Sequence, residues 1–157
     1  MYNGLLHLHN FARWIILVLL LVAIYKHYTG MNKKLGYTAQ DRKVDLFLMI
    51  TAHITLLVGL YQWFAGELGL KLIQANGFGG VMKDSVQRYW AVEHAVGMLV
   101  VITLITIGRG KGKPANAGAT EHKKAFYLFL LALLIILFNA PWPFRVGIGR
   151  PWFPGMH

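Results

Sequence analysis

Apolar residues run almost unbroken through four stretches of this chain, and polar residues gather between them. The stretches are LLHLHNFARWIILVLLLVAIYK, VDLFLMITAHITLLVGLYQWFAG, YWAVEHAVGMLVVITLITIG and AFYLFLLALLIILFNAPWPF. A helix needs about 20 apolar residues to cross the hydrocarbon of a bilayer, whereas a buried strand ends after about eight. The pattern therefore predicts four membrane-spanning helices at roughly 4–27, 44–66, 88–108 and 125–146. Pro141 and Pro143 should end the last one, because proline lacks the N–H that a helix interior needs. The connection GELGLKLIQANGFGGVMKDSVQR is long and glycine-rich in its second half. Leu68, Leu70, Leu72 and Ile73 point to a short interfacial helix at its start.

Composition strengthens the membrane reading. Hydrophobic residues make up 56% and charged residues 14%, below the ~25% charge of a soluble domain. A length of 157 residues fits one transmembrane domain over 1–157. The net charge of +10 would suggest nucleic acid in a soluble protein. Here the basic residues cluster between apolar runs, which suits anionic headgroups, and no nucleic-acid-binding signature accompanies them. The first and third connections, counting Lys26, hold five basic residues each. The second holds Lys71, Lys83 and Arg88, and the tail holds Arg145 and Arg150. Positive residues favour the cytoplasmic side, so both termini and the second connection are expected on the outer side of the membrane. Trp63, Tyr89, Trp90 and Trp142, near span ends, fit an interfacial aromatic belt. The first run exceeds the apolar core of a signal peptide and no small-residue cleavage site follows it, so it is expected to remain as a span. The absence of cysteine excludes disulfides, thiolate metal sites, iron–sulfur clusters and covalent c-type haem.

Ionisable residues inside spans are costly and mark sites. His9 and Arg13 lie in the first span, His53 in the second, Glu93 and His94 in the third, and the polar Asn139 in the fourth. At 1.5 Å rise per residue, His9, Glu93, His94 and Asn139 share a layer about 7 Å to the outer side of the membrane centre. Arg13 is one turn deeper, on the same helix face as His9. His53 lies about three residues to the inner side of its midpoint, offset from His94 by roughly 10 Å. An Arg13–Glu93 ion pair would offset the cost of both charges. His27 and His122 are expected among basic loop residues, and His7 and His157 at the outer surface.

Haem b is the sharpest chemistry these residues suggest. Two imidazoles on facing helices can take opposite faces of one haem iron, and His9 with His94 match in depth, with His53 as the alternative ligand. A haem-free quinone or proton site would use His53, Arg13 and Glu93. A metal ion would find an N,N,O set in His9, His94 and Glu93. A haem-free structural or assembly subunit of a larger membrane complex would use the tail and second connection as docking surfaces. Against all of these stands a plainer role for the same residues in hydrogen-bonded helix packing.

The elements HLHNFARW, AHITLLVGLY, MKDSVQRYWAVEH, ITIGRGK and APWPFR resemble, over essentially the whole chain, a family of short four-span membrane proteins of Bacteroidetes-type bacteria labelled cytochrome b-like. The resemblance implies an all-α, inner-membrane, up-down four-helix bundle, with haem b and a role in electron transfer in a respiratory or quinone-linked setting. His9, Arg13, His53, Glu93 and His94 stand at that family's polar positions.

Overall fold

A computed structural model describes residues 2–155. The described chain is all-α, with no strand. Helix α1 (Tyr2–Asn32) and α2 (Ala39–Ala65) are followed by α3 (Leu70–Lys83), α4 (Ser85–Lys111) and α5 (Ala119–Asn139). Among the described residues, α1, α2 and α4 are long and apolar enough to cross a membrane. α1 packs on α2 and α5, and α4 packs on the same two, so α1 and α4 face each other diagonally across a ring of four. Both ends of the described chain lie at one end of this bundle, the terminal end. The 33–38 and 112–118 connections close the other, the loop end.

Local signals place the helix ends. Lys34 adopts a left-handed φ of 52°, and the Leu35 N–H returns 2.9 Å to the Gly30 carbonyl. That is a Schellman ending, which satisfies carbonyls the last turn leaves free. Thr38 starts α2 by a reciprocal cap. Its hydroxyl accepts from the Asp41 N–H at 3.1 Å, and Asp41 Oδ2 accepts from the Thr38 N–H at 2.8 Å. α1 and α5 both run further towards the loop end than the apolar runs, reaching Asn32 and starting at Ala119. α5 ends at Asn139 rather than at 146. Ala140 is pushed to extended backbone because Pro141 follows it. The expected interfacial helix is present as α3 and extends through the glycine-rich half, broken at Gly77 with φ 71°.

The core runs along the bundle axis through Leu20, Leu48, Ile105 and Phe129, all fully buried. Fully buried Ala23, Ala52, Ala125 and Ala132 let the backbones approach, the packing that holds helices together where lipid is as apolar as the core. Gly108 on α4 makes the notch that the Phe129 ring fills. Large apolar side chains such as Phe47, Leu57, Phe64, Leu131 and Phe138 point outward. The tail folds back over the terminal end, where the Trp14 indole N–H donates to the Trp152 carbonyl at 2.7 Å. Trp142 and Tyr89 are buried beneath it rather than belonging to an aromatic belt.

Candidate functional site

His9 and His94 meet across the bundle diagonal, their ring centroids 6.3 Å apart and their planes at 70°. The Tyr89 hydroxyl donates to the Asn139 carbonyl at 2.7 Å and lies 3.3 Å from His94 Nδ1. A hydroxyl whose hydrogen is committed accepts from its other neighbour, so His94 carries its hydrogen on Nδ1 and leaves Nε2 as the lone-pair nitrogen. The Asn139 amide donates to the Glu93 carbonyl at 3.1 Å and fills the space above Gly97. His9 lies against Gly59, where a Cβ would come within 3.1 Å of its Cε1. His9, the Glu93 backbone, His94 and Asn139 are thus one layer, as depth counting along the helices predicts.

The side-chain geometry of α4 depends on a local change of winding. Tyr89–Glu93 is wound as a π-helix, a feature common at functional sites. In an α-helix residues five apart point about 140° away from each other. Here two such pairs touch. Tyr89 reaches His94, and Arg88 Nε meets Glu93 Oε1 at 2.6 Å.

That second pair corrects the expected Arg13–Glu93 bridge. The Glu93 carboxylate is exposed and taken by Arg88, the partner on its own helix. Arg13 instead donates to the carbonyls of Pro151 and Trp152, at 3.4 Å and 3.2 Å. Its guanidinium also faces the rings of Trp14 and Trp142. Arg13 therefore ties the returning tail to α1.

His53 is not brought to the pair. It is exposed on the outer surface of α2, and its Nδ1 bonds the Met49 carbonyl one turn back, at 2.8 Å. His7 is exposed, as expected, and His157 lies outside the described residues. Among the described residues no group of three or more His, Cys, Asp or Glu side chains is arranged to hold a metal ion. This removes the N,N,O set of His9, His94 and Glu93, whose carboxylate turns away to Arg88.

The loop end holds a cluster the apolar pattern does not announce. His27 and His122, expected among solvated loop residues, are 0% and 1% exposed. Their Nδ1 atoms stand 2.8 Å apart, and His27 Nε2 stands 2.9 Å from Asp45 Oδ1. Tyr37 stacks on His122, with ring centroids 4.2 Å apart and planes at 13°. Glycines make room for these rings: Gly30 of α1 for His122, and Gly112, just past α4, for Tyr37. Burial, reinforced by the carboxylates of Asp45 and Asp41, pushes the Tyr37 hydroxyl well above its ordinary range. Burial holds the His122 imidazole below its ordinary value, against a raising contribution from the Gly36 carbonyl. The signal in the sequence was depth. His27 and Asp45 fall at the loop-end limits of their apolar runs, and His122 lies three residues before the start of its own.

Comparison with protein-family models, with curated proteins and with solved structures gives no match.

Proposed function

We propose that this chain crosses a bacterial inner membrane four times, with both termini on the periplasmic side. We propose further that it works as a b-type cytochrome-like electron-transfer protein or a small subunit of a respiratory or quinone-linked complex. Five basic residues in or flanking each of the 33–38 and 112–118 connections, the first set from Lys26 to Lys43 and the second from Arg109 to Lys124, support the orientation. From Ala125 to Phe138 the fourth helix is about 21 Å of apolar length at 1.5 Å per residue. Lys123 and Lys124 in its second turn can extend towards the headgroups to make up the span.

The observation that carries the electron-transfer reading is the approach of His9 and His94 from diagonal helices. Their ring centroids stand 6.3 Å apart, and imidazoles on facing helices are the donor type that haem iron takes. His94 has its Nδ1 engaged by Tyr89, the arrangement a metal-bound histidine uses to fix its tautomer, and His9 Nδ1 is buried without a partner. His9 and His94 would hold haem b, which supplies a one-electron couple when bound. Asn139 and Tyr89 orient His94, and Arg13 supplies positive charge one turn below His9.

The second reading is a haem-free structural or assembly subunit. It is favoured by Gly59 and Gly97, whose notches are taken by His9 and Asn139 rather than left for a flat ligand. Visible spectra of the purified protein, oxidised and dithionite-reduced, separate the two. A b-type α-band lost in His94→Ala supports the haem reading. A folded, colourless protein sinks it in favour of the second.

A further inference from the structure

The loop end carries a hydrogen-bonded chain of ionisable groups that the His9–His94 site does not use. We propose that His27, His122 and Asp45 form a proton-exchange site that takes up and releases one proton against the aqueous phase at the loop end.

The hydrogen bonds restrict where protons sit. Asp45 Oδ1, 2.9 Å from His27 Nε2, is an acceptor when ionised, so that nitrogen carries hydrogen. The two Nδ1 atoms, 2.8 Å apart, need one hydrogen between them. The cluster then has two states. In the first, His122 holds the shared hydrogen on Nδ1, its Nε2 is a bare lone pair, and the cluster carries one negative charge. In the second, a proton from water binds His122 Nε2 and the shared hydrogen passes from His122 Nδ1 to His27 Nδ1. His27 becomes an imidazolium beside the Asp45 carboxylate. One proton enters, and the buried charge falls from minus one to zero. Release runs the same steps backwards.

His122 Nε2 makes no hydrogen bond of ordinary geometry, while the Gly36 carbonyl favours a hydrogen on the His122 ring, as the second state places it. His122 Nε2 is the end of the chain and the atom that the proposal makes the entry point. Tyr37 covers the His122 ring. Arg42 holds the two loops together over it, donating to the carbonyls of Gly112, Tyr37 and Pro114. The charged groups facing the cluster are Lys26 from α1, paired with Asp41 of α2 at 3.0 Å, then Arg42 of α2 and Glu121 of α5. From α4 the neighbours are Gly108, through Phe129, and Gly112 beyond its end, through Tyr37. A second proton would place two imidazolium ions in contact, so the pair takes one and resists the next.

The test is a titration of the full chain in lipid nanodiscs with ¹⁵N-labelled histidine, read by solid-state NMR between about pH 5 and pH 9, the range histidine spans. His27→Gln and His122→Gln assign the signals. The nitrogens of His27 and His122 should move together through one transition worth one proton. Asp45→Asn should lower its midpoint by a unit or more, a tenfold loss of proton affinity. Fixed shifts across the range, two independent transitions, or an unmoved midpoint in Asp45→Asn would overturn the proposal. If Asp45→Asn does not fold, the wild-type titration decides alone. A colourless protein in the spectral test leaves this outcome untouched, because no atom of the cluster belongs to the His9–His94 site.

Discussion

Gly30 of α1 lies directly beneath the imidazole of His122 on α5, so closely that a Cβ there would sit 2.5 Å from its Cγ. Neither helix can move away, because the same imidazole bonds His27 on one side and stacks on Tyr37 on the other. Gly30→Ala is therefore expected to displace the ring and lower stability by about 1–3 kcal/mol, the usual cost of overpacking. The midpoint of thermal unfolding in detergent measures this. A midpoint equal to wild type would show that the stack yields at no cost.

Tyr37→Phe should behave differently. The Tyr37 hydroxyl is buried and unpartnered, while its ring supplies the stacking. Removing a polar group that has no hydrogen bond relieves a desolvation penalty of about 1–3 kcal/mol at most. Unfolding at the same temperature or higher is expected. A clear drop would reveal a partner for the hydroxyl, such as an ordered water.

The stability of the fold should depend on pH through His122. Its folded pKa lies below the ordinary value of 6.5 because the ring is buried. The unfolded chain then binds more protons as pH falls through that region, so the contribution is present above about pH 6.5 and is lost on acidification. Denaturation midpoints measured from about pH 8 to pH 5 should fall, and the fall should be shallower in His122→Gln. Parallel curves would remove His122 as the source.

His53→Ala tests the residue that stands apart. Its ring is exposed and bonded only to its own helix, so stability should change by less than about 0.5 kcal/mol. The visible spectrum should be that of wild type, in contrast to His94→Ala. A lost α-band in His53→Ala would return it to the ligand set.

Long apolar runs were readable because bilayer thickness sets helix length, and counting residues along them brought His9, His94 and Asn139 to one level. What the pattern hid lay at its margins. His27 sits beside Lys26, and His122 beside Lys123 and Lys124, and such neighbours look like loop. The helices nevertheless continue past the apolar runs, so both imidazoles turn inward, His122 to His27 and His27 to Asp45. The Arg88–Glu93 pair was hidden for another reason. A period of 3.6 gives no cause to join residues five apart, and the winding that joins them leaves no mark in hydrophobicity.

The π-wound turn between Tyr89 and Glu93 also gives length an angular meaning at this point of the chain. It holds a residue more than an α-helix would need to close the same turn. Deleting one residue there would let the turn close as ordinary α-helix, shortening α4 by only about 1.5 Å and leaving Tyr89 and His94 four apart, still on one face. Inserting a further residue, which the widened turn cannot absorb, would instead swing Arg88, α3 and the connection beyond by about 100° relative to His94, while the apolar part below would scarcely register the change. This stretch is a phase setting between cap and span, which can give up a residue with little turn but converts an added one into a rotation.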